Sequence, residues 1–144
     1  MLFSRLNLLL MTVVFLIGCG SSTDRVPVSG VASYDGEPIE NGTVELIPTD
    51  GTSGPATGSV IRGGRWEIAA DKGPMSGGTY LVRITGVRKT GRKFVDRDRP
   101  NQTFDVFSNY IPVGYNAQST LKITISPDSR QNSIDFVLEK KPEQ

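Results

Sequence analysis

The sequence contains no histidine, one cysteine and one tryptophan among its 144 residues. Without histidine, zinc sites of the His-rich kinds and serine or cysteine triads built on an imidazole base are excluded. With only Cys19, no intramolecular disulfide can form, so the folded part must stand without staples. An excess of charge is missing too. Arg5 is the only charged side chain before Cys19, and setting it aside reduces the 16 basic residues to 15, equal to the 15 acidic ones. That balance gives no global reason for nucleic acid or anionic lipid as a partner. Helical periodicity is also absent: past residue 25, apolar residues at i, i+3, i+4 and i+7 never persist beyond one turn.

What is present begins at the N-terminus. Arg5 precedes an apolar run over residues 6–17 that includes Leu8, Leu9, Leu10, Val13, Val14, Phe15, Leu16 and Ile17. The run falls short of the roughly 20 residues that span a bilayer, and its layout is that of a secretory signal. It closes on Leu16-Ile17-Gly18-Cys19, which resembles the lipobox of bacterial lipoproteins. That resemblance implies a signal peptide over 1–18, cleavage before Cys19, a diacylglycerol thioether on its sulfur and an acylated new N-terminus. Gly20-Ser21 carries no aspartate, so the resemblance favours an outer membrane over an inner one. The alternatives are an ordinary cleaved signal or a free thiol in an apolar segment. Residues 19–25 then form the anchored cysteine and a polar tether, flexible in composition.

From residue 26 to 139 the pattern is that of one domain of short strands, large enough to bury a core unaided. Strands are expected over residues 26–34, 42–48, 57–61, 65–70, 79–87, 119–126 and 132–139. Val28, Val44, Leu46, Trp66, Ile68, Tyr80, Val82, Ile84, Leu121, Ile123, Ile125, Ile134, Phe136 and Leu138 are expected to face inward. Asp35-Gly36, Arg62-Gly63-Gly64 and Pro127-Asp128-Ser129-Arg130 supply turns. Seven alternating strands with turn signals between them predict an all-β, antiparallel β-sandwich. Residues 88–109 interrupt the pattern as a long polar connection, and residues 140–144 are a polar tail.

The motifs Val28-Ser29-Gly30, Tyr34-Asp35-Gly36-Glu37-Pro38-Ile39 and Gly42-Thr43-Val44 resemble the opening of carboxypeptidase regulatory-like domains. Gly64-Arg65-Trp66-Glu67-Ile68 and Gly78-Thr79-Tyr80-Leu81-Val82 resemble that family's middle hairpin and Gly-x-Tyr strand. Ile111-Pro112, Tyr115-Asn116 and Ser119-Thr120-Leu121 resemble a segment of small bacterial lipoproteins that carry it. The resemblance implies a transthyretin-like, seven-stranded sandwich and a non-catalytic accessory or adhesion module. The hydrolases of this fold use histidines, which are lacking here, and no peptidase metal motif is present.

Weaker motifs are present, each at odds with the chemistry it would need. Ser119-Thr120-Leu121-Lys122 fits S-x-x-K, but positions three apart on a strand face opposite sides. Asp96-Arg97-Asp98-Arg99-Pro100-Asn101 begins like a calcium loop yet lacks its glycine and closing glutamate. Asn41-Gly42-Thr43 and Asn101-Gln102-Thr103 are formal glycosylation sequons, read as chance in this setting. No metal or cofactor is implied.

Charge patterning is more informative. Arg83, Arg88, Lys89, Arg92, Lys93, Arg97 and Arg99 face only Asp96 and Asp98 over residues 83–99, whereas residues 35–50 hold Asp35, Glu37, Glu40, Glu45 and Asp50 without a cation. One reading is a pair of solvated surfaces that offset each other. The other is an anion-binding stretch in which Arg88, Lys89, Arg92, Lys93, Arg97 and Arg99 recognise lipid headgroups or acidic glycans, with Phe94 and Phe104 as contacts. The expected protein is therefore a non-enzymatic, lipid-anchored module of the bacterial envelope with a structural or adhesive role. The alternative is a carrier that binds its ligand through residues 88–118. Its partners would be the membrane and an envelope protein or polysaccharide, not nucleic acid.

Overall fold

The computed structural model describes residues 24–140. The signal segment 1–18, the lipobox residues Leu16, Ile17, Gly18 and Cys19, and the tail beyond residue 140 lie outside the described residues. Nine strands follow one another: β1 (Val28–Tyr34), β2 (Glu37–Pro38), β3 (Asn41–Thr49), β4 (Thr57–Arg62), β5 (Arg65–Ile68), β6 (Thr79–Asp96), β7 (Arg99–Asn109), β8 (Lys122–Thr124) and β9 (Phe136–Leu138). They form one curled, all-β sheet in the order β2-β1-β5-β4-β3-β6-β7, with β8 added to β6 and β9 to β1. Between the strands are only single 3-10 turns, and no helix among the described residues is long and apolar enough to cross a membrane.

Turn chemistry sets the local geometry. Asp35 and Gly36 both take positive φ (54° and 83°), as do Gly63 and Gly64 (53° and 75°), so β1–β2 and β4–β5 close as tight hairpins. Between β3 and β6 the register is unbroken from Gly42–Gly86 to Thr49–Thr79, which places Val44 beside Ile84 and Leu46 beside Val82. These four, with Val28, Ile68, Tyr80 and Ile125, are almost fully buried. Trp66 stacks on Phe136 with ring centroids 5.3 Å apart, joining the β5 side of the core to β9. Every buried apolar side chain among the described residues lies between Val28 and Leu138.

All seven expected strands are present, and the differences from expectation have physical causes. Ala32, Ile39, Ile61 and Ile111 also belong to the core, although Ile39 and Ile111 lie outside any strand. Leu121, Ile123 and Ile134 are half-buried at its rim rather than inside it. The last two strands are shorter than expected and do not pair with each other. β8 runs antiparallel to β6, while β9 lies parallel to β1, the one parallel strand pairing among the nine. Buried Asn132 holds this crossover: its Oδ1 accepts from the Ser126 N–H (2.8 Å) and its Nδ2 donates to the Ser126 carbonyl (3.0 Å).

The largest correction concerns residues 88–109. Expected as a polar connection, this stretch is a β-hairpin: β6 continues ten residues past its last β3 partner, turns at Arg97-Asp98 and returns as β7. Both faces of that hairpin are open, so no buried side imposes alternation on it. Its order comes from ladder bonds and cross-strand pairs, which leave little mark on the sequence.

Candidate functional site

The six cations named from the sequence all lie on this hairpin, which extends roughly 25–30 Å beyond the body at the usual rise per residue. Its root is rigid. Gly86 permits a close approach, since a Cβ there would meet Ile111 Cγ1 at 2.9 Å and the Tyr110 ring at 3.0 Å. Asn109 Oδ1 accepts from the backbone N–H groups of Gly86 (3.1 Å) and Ile111 (3.2 Å). Its Nδ2 donates to the Ile111 carbonyl at 3.1 Å. Tyr110 stands edge-on to Tyr34 at 6.0 Å, and burial pushes its phenol above the usual range, helped by Glu40 and opposed by Arg88.

Arg88 and Lys89 are already engaged. The Arg88 guanidinium lies 5.2 Å from the Tyr110 ring centre, a cation–π contact. Lys89 Nζ approaches Asp105 at 2.6 Å, and Phe107, the cross-strand partner of Lys89, is exposed. The hydrogen bond from Lys89 holds the Asp105 carboxyl below the ordinary range against desolvation, with the charges of Lys89 and Lys93 adding to it. A bulge follows, with Gly91 at φ 77°. Thr90 Oγ1 donates to the Val106 carbonyl (2.9 Å) and accepts from the Arg92 N–H (3.3 Å), so the ladder resumes at Lys93–Asp105. Beyond it Phe94 and Phe104 face each other across the strands and stack at 5.6 Å.

Arg92, Lys93, Arg97 and Arg99 have no carboxylate within ion-pair distance among the described residues. The structure therefore brings four free cations together with exposed Phe94, Val95, Phe104 and Phe107 on one slender element. Sequence reading missed Asp105, the Thr90–Arg92 bulge and Phe107; the only local hint was the β-prone run Thr103-Phe104-Asp105-Val106-Phe107. The acidic residues of 35–50 do not mirror this cluster. They are spread along β3 and its flanks, with Glu45 close to Arg83 (4.0 Å) and Asp50 paired with Lys122 (3.0 Å).

The comparisons with known proteins add little. No family model matches the chain, and no curated protein does. A 9R-lipoxygenase from Cyanothece PCC8801 is similar over 84% of this chain and 18% of that one, at 17% identity and a TM-score of 0.34. This chain thus spans under a fifth of that enzyme's length, and so slight a likeness carries no argument.

Elsewhere the chemistry is sparse. Ser119 Oγ donates to the Val82 carbonyl, while Lys122 Nζ reaches Asp50, so the S-x-x-K pair is parted. Asp96 Oδ1 accepts from the Asp98 N–H (3.0 Å), a turn contact at the hairpin tip. No cluster of three or more metal-ligating side chains occurs among the described residues. A cleft of about 650 Å³ lies on the outer side of β1, β4 and β5, where Arg62, Arg65, Glu67 and Asp135 line it; none of the six hairpin cations does. The N-terminal segment enters at the opposite end of β6 from the hairpin, where the Val26 N–H donates to Pro74 (3.0 Å) and Ser76 to Asp24 (2.7 Å).

Proposed function

We propose that this chain is a non-enzymatic, lipid-anchored module of the bacterial envelope, held at the outer membrane through Cys19, whose hairpin arm binds an anionic polysaccharide. The curled sheet would then be a transthyretin-like sandwich of the carboxypeptidase regulatory-like kind, closed by the stacking of Trp66 on Phe136. The parting of Ser119 from Lys122 supports a binding role over a catalytic one. The observation that carries the reading is the layout of β6. The tether joins one end, while the arm leaves the other with Arg92, Lys93, Arg97 and Arg99 free and four apolar side chains exposed. A body anchored beside Thr79 points such an arm away from its own membrane.

The test uses the full lipidated chain in vesicles of neutral lipid, with a uronic-acid polysaccharide in solution. Capture should fall steeply with salt, because exposed charges are screened within a Debye length of about 8 Å at physiological ionic strength. Replacing Arg92, Lys93, Arg97 and Arg99 with glutamine should weaken capture and flatten that salt dependence while the fold survives. Equal capture by both proteins at low salt would sink the glycan reading, and preference for anionic vesicles over the polysaccharide would turn it to lipid headgroups. An unmodified Cys19 thiol in the processed protein would remove the anchor.

A further inference from the structure

We propose that two copies of this chain join through the outer edge of β7, strand against strand and antiparallel about a two-fold axis. The inference goes beyond the anchor and the glycan, and stands without either. β7 ends the sheet, and nothing among the described residues pairs with its outer edge. Its backbone polarity can be read from two contacts. The Tyr110 N–H donates to the Gly86 carbonyl (2.9 Å), and the Val106 carbonyl accepts from Thr90 on β6. Backbone groups alternate in direction along a strand, so Val106 and Ser108 turn theirs to β6. Thr103, Asp105, Phe107 and Asn109 turn theirs outward, to a free edge.

Exposed edges are ordinarily blunted by charge, proline, bulges or brevity. The arm's other edge, along β6, is blunted in this way: Arg88, Lys89, Arg92 and Lys93 line it, and the Thr90–Arg92 bulge interrupts it. β7 is guarded only toward the tip, where Arg99, Pro100 and a register shift before Thr103 interrupt it. From Thr103 to Asn109 its one charge is Asp105, and Lys89 neutralises that at 2.6 Å. Phe104 and Phe107 are exposed beside that carboxylate. One arm thus has a guarded edge and an unguarded one.

A second copy suits the unguarded edge on charge. Joining β7 to its symmetry mate leaves the cationic β6 strands three strand spacings apart, about 14 Å, which exceeds the Debye length of about 8 Å. The guarded β6 edges then face outward, so the assembly closes at two copies instead of growing. Outward-facing residues must meet outward-facing residues. A centre at Asp105 would set like carboxylates opposite each other and is disfavoured. A centre at Phe104 sets Asp105 opposite Thr103 of the mate and aligns Phe94 and Phe104 with their mates in one aromatic row.

Cysteine cross-linking of the full chain in its membrane tests this. Gln102→Cys, Phe104→Cys and Val106→Cys would be oxidised one at a time, with the unsubstituted chain as background and Arg97→Cys at the tip as a control for collision. A single maximum at Phe104→Cys, giving a species of doubled mass, is expected. Adding Thr103→Pro removes an outward N–H without touching the β6 ladder, and should abolish the cross-link with melting unchanged. No β7 cysteine exceeding the tip control would overturn the proposal. A ladder of higher multiples would overturn the closed pair, and a cross-link that survives Thr103→Pro would overturn strand addition.

Discussion

One strand, β6, passes through two environments. From Thr79 to Gly86 it has β3 on one edge, with β8 on the other beside Thr79–Leu81, and a core against one face. Tyr80, Val82 and Ile84 are at most 1% exposed there, and their neighbours alternate outward. From Val87 to Asp96 it has β7 alone, and Phe94 and Val95, on opposite faces, are each about half exposed. The difference teaches that alternation in a sequence records burial of one face rather than strand structure itself. Where neither face is buried, a strand can persist on ladder bonds, a bulge and cross-strand pairs.

The sharpest way to break the comparison is Val82→Asp. It buries a carboxylate with no partner in the inner half, at a cost comparable to the whole stability of a small domain, about 5–15 kcal/mol. Thermal unfolding should show a collapse of the melting transition, whereas Lys93→Asp on the outer half should leave it within a few degrees. Equal losses would mean that the arm is part of the cooperative core.

A smaller effect is expected from Phe94→Ala. The Phe94–Phe104 stack contributes roughly 0.5–1.5 kcal/mol beyond area burial, and it ties together only the arm. Amide exchange along residues 93–105 should quicken several-fold while the β3–β6 amides keep their protection. A lowered melting temperature of the whole domain with no local change would contradict that separation.

The smallest effect concerns acid. The Asp105 carboxyl is lowered in the folded arm by Lys89, so its contribution to arm order is present above the ordinary carboxylate range, about pH 4. That contribution is lost as pH falls through the lowered value. Exchange protection at Val106 and Ser108, whose amides face β6, should decline below about pH 4 while that of the body holds, and Asp105→Asn should abolish the pH dependence. An arm equally protected at acid and neutral pH would show that the ion pair does not order it.

Legibility from the sequence followed the same division. Tyr80, Val82 and Ile84, like Val44 and Leu46, announced their faces because one side of each strand meets the core. Phe94 and Phe104 stood out as contacts but, like Phe107, announced no face, because the arm exposes apolar groups on both faces and the bulge at Gly91 shifts the register between them. The six cations were found by charge alone, but their division into engaged Arg88 and Lys89 and free Arg92, Lys93, Arg97 and Arg99 was not. Asp105 and Tyr110, which make that division, are distant in sequence from the residues they hold.

By itself the sequence determined the all-β class, the tight turns at Asp35-Gly36 and Gly63-Gly64, and the inward faces of the central strands. Positive φ and period-two burial are local properties, written within a few residues. Only the tertiary structure decided that residues 88–109 stand out as an arm, that β9 lies parallel to β1, and which strand edge is left open. Those outcomes depend on which distant strand supplies the next ladder of hydrogen bonds, and no local pattern encodes that choice.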